Sequence, residues 1–455
     1  MTPAPTVATD APALQADVVI IGGGPAGSTA AALLARAGHQ VVVLEKDAHP
    51  RFHIGESLLP MNMPILEELG VLDQVRAIGV HKAGADFPLP GEAKSHVFRF
   101  NRTLTPGPDA AVHVRRDQFD QLLFEHARAC GADMHACTRV VHVAFGADGR
   151  PERVDAIKAD GSTLALRPRY LIDASGRDTV VAAQRRLKRK NPTHQSAALF
   201  SHFRGVARQP GIDAGNITIA RFEHGWFWLI PLPDDVMSVG AVCLPEYLRQ
   251  RSADGGRIDN ETLLMRTLEA NPAVRARMQG AERIAPVHAT GNYSYAATRM
   301  AGPGWILIGD AYAFVDPIFS SGVFLAMDSA RQAAALVDAS LRVPAREARL
   351  QRAMQARLDR GLRHFTWFIY RFNTPVMQRL FSAPRNDLQL EQAVISMLAG
   401  DVFDNAAVRW RLYVFRMIYA LNAIAIAPQA LRGWRTRRRQ ARVAFRGDTL
   451  HGGNP

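Results

Sequence analysis

An α/β fold is predicted, with parallel strands and helices first, an antiparallel-sheet region after them, and a helical C-terminal region. Three features of the 455-residue sequence carry this expectation. Asp17 to Lys46 reads as strand, glycine turn, helix and strand. The stretches from Val140 to Ile172 and from Ser196 to Val242 recur as short strand-like runs, and long helical patterns fill the chain beyond Pro344. At 47% hydrophobic residues the chain can bury a large core. Its length suits two or three interwoven domains better than one.

In the first unit Val18 to Ile21 has strand composition, and Gly22, Gly24 and Gly27 hold the G-x-G-x-x-G positions ahead of an Ala- and Leu-rich helical run. Gly22 permits a tight turn, Gly24 lets backbone N–H groups reach a pyrophosphate, and Gly27 lets the helix lie close on the strand. The helix dipole favours the bound anion. Gly38 stops the helix. The strand Gln40 to Leu44 then delivers Glu45, eighteen residues past Gly27. A carboxylate there can accept from a ribose diol and argues against a 2′-phosphate. The unit is Rossmann-like and should hold a dinucleotide.

The loop His49 to Pro60 leaves the second strand carrying Glu56 and Ser57, and so should pass near the cofactor. Helix patterns follow at Pro64 to Val75 and Asp117 to Cys130. Between Val140 and Ile172 the chain alternates and turns at Gly149 and Gly161, as antiparallel strands do. Tyr170 to Arg177 is an apolar strand ending in a polar, glycine-containing turn, a second approach to a ligand. In Gly225-Trp226-Phe227-Trp228-Leu229-Ile230-Pro231 the two tryptophans fall on one face of a strand. They read as core or as site. A helix is expected at Asn260 to Ala270. The strand Gly304 to Asp310 is a third approach, followed by a long helix opening near Gly322, whose free N–H groups suit an anion.

The first sixteen residues are rich in Ala, Thr and Pro and lack Lys, Arg and an apolar core of signal length, so a disordered tail is expected. The expected divisions are a tail at 1–16, a cofactor-binding region with inserted substrate elements at 17–190, and a sheet region at 191–281. The cofactor region resumes at 282–343, helices occupy 344–446, and 447–455 is a tail. Cys130, Cys137 and Cys243 form no metal or redox spacing, so no metal site and a reducing cytoplasm are expected. The net charge of +13 is concentrated at Arg432, Arg435, Arg437, Arg438, Arg439, Arg442 and Arg446, with a smaller cluster from Arg185 to Lys190. Such runs are solvated faces or attract acidic partners. Met417 to Leu431 is shorter than the roughly twenty residues of a membrane span and reads at most as an interfacial helix.

Three separated cofactor segments, at Gly22 to Glu45, Asp173 to Arg177 and Gly309-Asp310, resemble flavoproteins of the hydroxylase-type FAD-binding fold. Three further stretches narrow the resemblance: Phe52-His53-Ile54-Gly55-Glu56-Ser57-Leu58-Leu59-Pro60, the Gly225 to Pro231 block, and Gly309 running on through Asp316-Pro317-Ile318-Phe319-Ser320-Ser321-Gly322. From about Asp17 to Ala330 the chain is similar to the flavin-dependent halogenases, in particular the branch acting on phenols and pyrroles. The resemblance implies FAD, used as FADH2 and supplied by a flavin reductase, with oxygen and chloride or bromide giving hypohalous acid that a lysine holds near the substrate. The matching lysine is Lys82, in Lys82-Ala83-Gly84-Ala85-Asp86-Phe87. It further implies cofactor contacts from Gly22, Gly24, Ala26, Gly27, Glu45, Lys46, Gly55, Glu56, Ser57, Arg116, Asp173, Asp310 and Gly322. Halide is expected at the N–H groups of Ser321 and Gly322, and substrate beside Trp226, Trp228 and Phe319. The tryptophan-acting branch has a glutamate where this chain has Phe319, which puts free tryptophan in doubt as substrate.

The expected activity is halogenation of an electron-rich aromatic, free or on an acidic carrier protein. The alternatives are a flavin monooxygenase or reductase on the same fold, and a carrier- or membrane-docked FAD protein. The arginine-rich end is expected to meet an acidic carrier or a peripheral membrane surface, and no nucleic acid.

Overall fold

The computed structural model describes residues 13–88, 95–191, 195–250, 256, 258–291, 294–382 and 386–425. Its first unit is strand Leu14–Ile21, helix Pro25–Arg36 and strand Val41–Leu44. The strand starts at Leu14, ahead of the apolar run, because Leu14 to Ala16 pair with Leu166 to Pro168. The end of the expected disordered tail is therefore strand, and 1–12 lie outside the described residues.

Across the first sheet the order is Ala301–Gly302, Trp305–Leu307, Thr163–Asp173, Leu14–Ile21, Val41–Leu44 and Asp133–His135, and the last five are mutually parallel. Ile21 stands opposite Asp173, and Asp173 opposite Leu307. The three segments predicted to reach the cofactor thus end side by side at the carboxyl edge, where open α/β sheets bind ligands. The alternating region is a meander of Thr138–Phe145, Pro151–Lys158 and Thr163–Asp173. The helix expected at Pro64 to Val75 is two, Met63–Leu69 and Leu72–Ala77. Gly70 caps the first at φ +76°, a left-handed conformation that stops helical hydrogen bonding.

The second sheet runs Glu282–Arg283, Ala197–Arg204, Val236–Cys243, Gly225–Pro231, Ile217–Phe222, Gly84–Pro88 and Ser95–Arg99, with His288–Gly291 also on Ala197–Arg204. It is antiparallel except where Ile217–Phe222 meets Gly84–Pro88 in parallel. Its faces separate by strand alternation. Phe227, Leu229 and Ala220 enter a core capped by helix Asn260–Ala270, whereas Trp226, Trp228, Ile219 and Phe200 join the large core shared with the parallel sheet.

Helix Ser321–Arg342 packs on helix Pro25–Arg36, and Glu347–Ile369, Pro375–Ser382, Leu390–Ala399 and Ala406–Ala425 follow. No helix among the described residues is long and apolar enough to cross a membrane. The Arg432 to Arg446 run lies outside the described residues. The Arg185 to Lys190 cluster is built into the fold: Arg185 stacks over Phe145 at 4.4 Å, and Lys188–Lys190 pairs with Tyr295–Ala297.

Candidate active site

The glycines of the first turn answer different demands. Gly22 has φ +97°, and a Cβ there would lie 2.5 Å from the Ala174 carbonyl oxygen; one on Gly27 would lie 1.8 Å from that of Gly22. These two positions are closed by the chain itself. A Cβ on Gly24 would meet only the Arg51 guanidinium, at 3.4 Å. Gly24 caps helix Pro25–Arg36 with no side-chain acceptor at that end and no acid in the first turn. The positive end of the helix and Arg51 together form an anion cradle. Arg51 was not anticipated from sequence. Its Nε is buried without a hydrogen bond, and its carboxylate neighbours Glu45, Asp120 and Asp47 stand 3.9, 3.6 and 4.0 Å away. The signal was the one Lys or Arg in the loop His49 to Pro60 that leaves the second strand.

Other expected cofactor residues are partly used by the protein. Glu45 accepts from the Gly23 N–H at 2.7 Å and the Asp47 N–H at 2.9 Å, tying the glycine turn to the strand end. Lys46 pairs with Asp178 at the rim, 2.7 Å apart. Asp173 accepts from the Ser175 and Val181 N–H groups at 3.0 and 2.8 Å, so its carboxylate shapes the second turn. Arg116 is buried, forks onto Asp120 at 2.7 and 2.8 Å and donates to the Ile54 carbonyl at 2.8 Å, so it clamps the Gly55 loop. Ala26 lies against the Gly309 turn. Asp310 beside it has no hydrogen-bond donor on its carboxylate among the described residues, and burial pushes that carboxyl up to about 6 against the pull of Arg177 and Arg116. An unpaired acceptor, an uncapped helix end and an open glycine fit FAD: Asp310 and Glu45 for hydroxyls, Gly24 and Arg51 for pyrophosphate.

Lys82 ends strand Gly79–Lys82, which pairs with Ala111–Val114. It is 1% exposed, and its Nζ donates to Ser57 Oγ and to the Leu58 carbonyl, each at 2.9 Å, above the Phe100 ring at 5.4 Å. Burial lowers its pKa to about 7, because a charged amine is poorly solvated there. The Gly55 to Leu58 loop is pinned to the partner strand Ala111–Val114 by Val114 N–H to Glu56 carbonyl and Leu58 N–H to Val112 carbonyl bonds. Glu56 is buried, with one oxygen on His202 Nε2 at 2.7 Å and the other unpaired.

The loop also meets the proposed halide end, since a Cβ on Gly55 would sit 4.0 Å from Val323 in the first turn of helix Ser321–Arg342. That helix starts after Ser320 at φ +55°, with no side-chain cap and no first-turn acid, and a Cβ on Gly322 would meet nothing within 4 Å. Lys82, Ser57, Gly55 and the N-terminus holding Ser321 and Gly322 are therefore one connected group. Phe319, just before it, is buried and meets Phe372 edge-on at 5.9 Å. Trp226 and Trp228 are buried side by side, 5.9 Å between centroids, in the same core cluster as Phe319. Trp228 donates to Ser238 Oγ at 3.1 Å and lies over Gly240, where a Cβ would intrude to 2.3 Å.

The family model for an FAD binding domain matches residues 15–367. The chain is 36% identical over 361 residues to the flavin-dependent halogenase armH4 of Armillaria mellea, covering 74% of this chain and 67% of that protein. It is 36% identical over 325 residues to a tryptophan 2-halogenase of Chondromyces crocatus (70% and 60% covered), and 29% identical over 413 to a 1H-pyrrole-2-carbonyl-[peptidyl-carrier protein] chlorinase of Pseudomonas fluorescens (85% and 89%). It thus spans from 60% to 89% of the length of these relatives. Among solved structures, the myxobacterial chondrochloren halogenase CndH superposes with a TM-score of 0.74 at 30% identity, covering 88% of this chain and 96% of that one.

Proposed function

The chain belongs to the flavin-dependent halogenases, and on that premise we propose that it halogenates an electron-rich phenolic or pyrrolic ring, with Lys82 holding the hypohalous acid. Bound FADH2, with oxygen and halide, supplies that acid. The observation that carries the reading is the burial of the Lys82 amine with two of its positions taken by Ser57 and Leu58. One position is left for the electrophile. As the ring takes the halogen, the oxygen–halogen bond breaks, the Lys82 ammonium protonates the departing hydroxide to water, and the amine then accepts the ring proton. A pKa of about 7 suits both transfers. The uncapped helix end at Ser321 and Gly322 supplies N–H groups for chloride or bromide. Phe319 offers no carboxylate to take a ring proton, which favours rings that release charge through their own hydroxyl or N–H. Free tryptophan is the poorer candidate.

A flavin reductase is the proposed electron source, and the carrier-protein chlorinase among the relatives supports a carrier-bound substrate. The arginines beyond residue 431 are the proposed carrier contact. Product masses measured with FAD, a reductase and a panel of phenols and pyrroles, with and without chloride or bromide, test the reading. Halide-dependent mass gain is expected; hydroxylated product without halide would favour a monooxygenase.

A further inference from the structure

Among the described residues, a cation without a counter-charge sits on the aromatic face of the second sheet. Strand Ile217–Phe222 alternates so that Ile217, Ile219 and Arg221 face the large shared core. Arg221 stands cross-strand from Trp226, and Ile219 from Trp228. The Arg221 guanidinium lies 3.8 Å from the centroid of Phe372 and 5.6 Å from that of Phe381. Phe372 is the ring that meets Phe319 edge-on, so Arg221 is one ring away from the turn that opens the halide-side helix. The backbone is anchored there by Asn271 Nδ2, which donates to the Arg221 carbonyl at 3.1 Å.

No hydrogen bond or carboxylate reaches the guanidinium among the described residues, and Nη2 is buried with no partner. Burial draws its pKa down to about 9, which still leaves it cationic at neutral pH. Stacking on Phe372 recovers part of the lost solvation, but a partly buried charge with no partner among the described residues is otherwise costly, and an apolar residue like Ile219 would serve packing better. Stacking occupies the face of the guanidinium and leaves its edge N–H groups free to fork onto an oxygen anion.

We propose that Arg221 binds an anionic oxygen carried by the aromatic substrate, a phenolate or a ring carboxylate, and so orients the ring against Trp226 and Phe319. This rests on the phenolic reading above and deepens it. A phenol bound at Arg221 loses its proton to solvent more readily, because the cation favours the charged form. The phenolate ring is the stronger nucleophile toward hypohalous acid. Arg221 thereby supplies from the substrate's side what a carboxylate base would otherwise do at Phe319.

The test uses 4-nitrophenol, whose spectrum separates phenol from phenolate, titrated with pH on the FAD-loaded protein without halide or reductant. The wild-type chain is expected to lower the ionisation pKa of bound 4-nitrophenol, Arg221→Gln to abolish the shift, and Arg221→Lys to keep part of it. Neutral 4-nitroanisole should bind wild type and Arg221→Gln alike. If 4-nitrobenzoate binding is weakened by Arg221→Gln while 4-nitrophenol shows no shift, the anion is a carboxylate at the same residue. Wild type that neither shifts 4-nitrophenol nor binds 4-nitrobenzoate overturns the proposal, as does an Arg221→Gln protein with wild-type behaviour toward both. The wild-type readings decide even if Arg221→Gln fails to fold. They need no turnover, so a failure of halogenation leaves them interpretable.

Discussion

Lys82 Nζ lies 2.9 Å from Ser57 Oγ inside the protein, with no carboxylate bonded to either among the described residues. An amine so placed is held by neutral acceptors alone, which orient it without fixing its charge. The strand and the loop that carry the two residues are both hydrogen-bonded to Ala111–Val114. Their separation is thus set by backbone pairing.

Lys82→Met keeps the length and apolar stem of the side chain and removes the donor and the amine. The variant should retain FAD, consume oxygen with release of peroxide when given reductase, and yield no halogenated product by mass spectrometry. Arginine should not rescue it, because a guanidinium stays protonated and cannot take the ring proton back. Halogenation at about a tenth of the parental rate or more would make Lys82 a bystander.

Stability should climb with pH through the range set by Lys82. Its folded pKa is about 7 against an ordinary 10.5, so between those values the unfolded chain binds more protons than the folded one. Stability then rises with pH across that window, by at most about 1.4 kcal/mol per unit, and the gain is absent below the folded pKa. Urea unfolding of wild type and Lys82→Met at several alkaline pH values should show the wild-type curve rising relative to the variant. Parallel curves would mean the amine is solvated.

Gly24→Val and Gly27→Ala should separate cofactor binding from folding. A Cβ on Gly24 would meet only Arg51, whereas one on Gly27 would overlap the Gly22 carbonyl oxygen. Gly24→Val should therefore yield folded protein without flavin absorbance, and Gly27→Ala should yield little folded protein. Arg51→Ala should fold and bind FAD about tenfold more weakly or worse, by titration of the stripped protein, for loss of a charge-assisted contact. Unchanged FAD affinity would remove Arg51 from the cradle.

Much of the cofactor half was legible because its signals are local. Strand composition, the three glycines and the run after Gly27 act within a few bonds of one another, and the strand ends at Ile21, Asp173 and Leu307 then meet by the ordinary rules of parallel winding. Composition likewise marked the helical C-terminal region and the alternating meander. Two readings were revised: the Pro64 to Val75 pattern broke at Gly70 through its own left-handed backbone, and Leu14 to Ala16 joined a strand because Leu166 to Pro168 lay alongside.

What the sequence by itself determined is therefore the cofactor unit, the order of the regions, and through its motifs the family. Tertiary structure alone decided the charge state and partners of the side chains. Glu45 turns to Gly23, Arg116 closes on Asp120, Arg51 comes to Gly24, and Lys82 meets Ser57 and Leu58 from two dozen residues away. Arg221 is left on Phe372 with no carboxylate in reach among the described residues. Solvation and hydrogen bonding depend on which distant groups surround an atom, and no spacing along the chain encodes that.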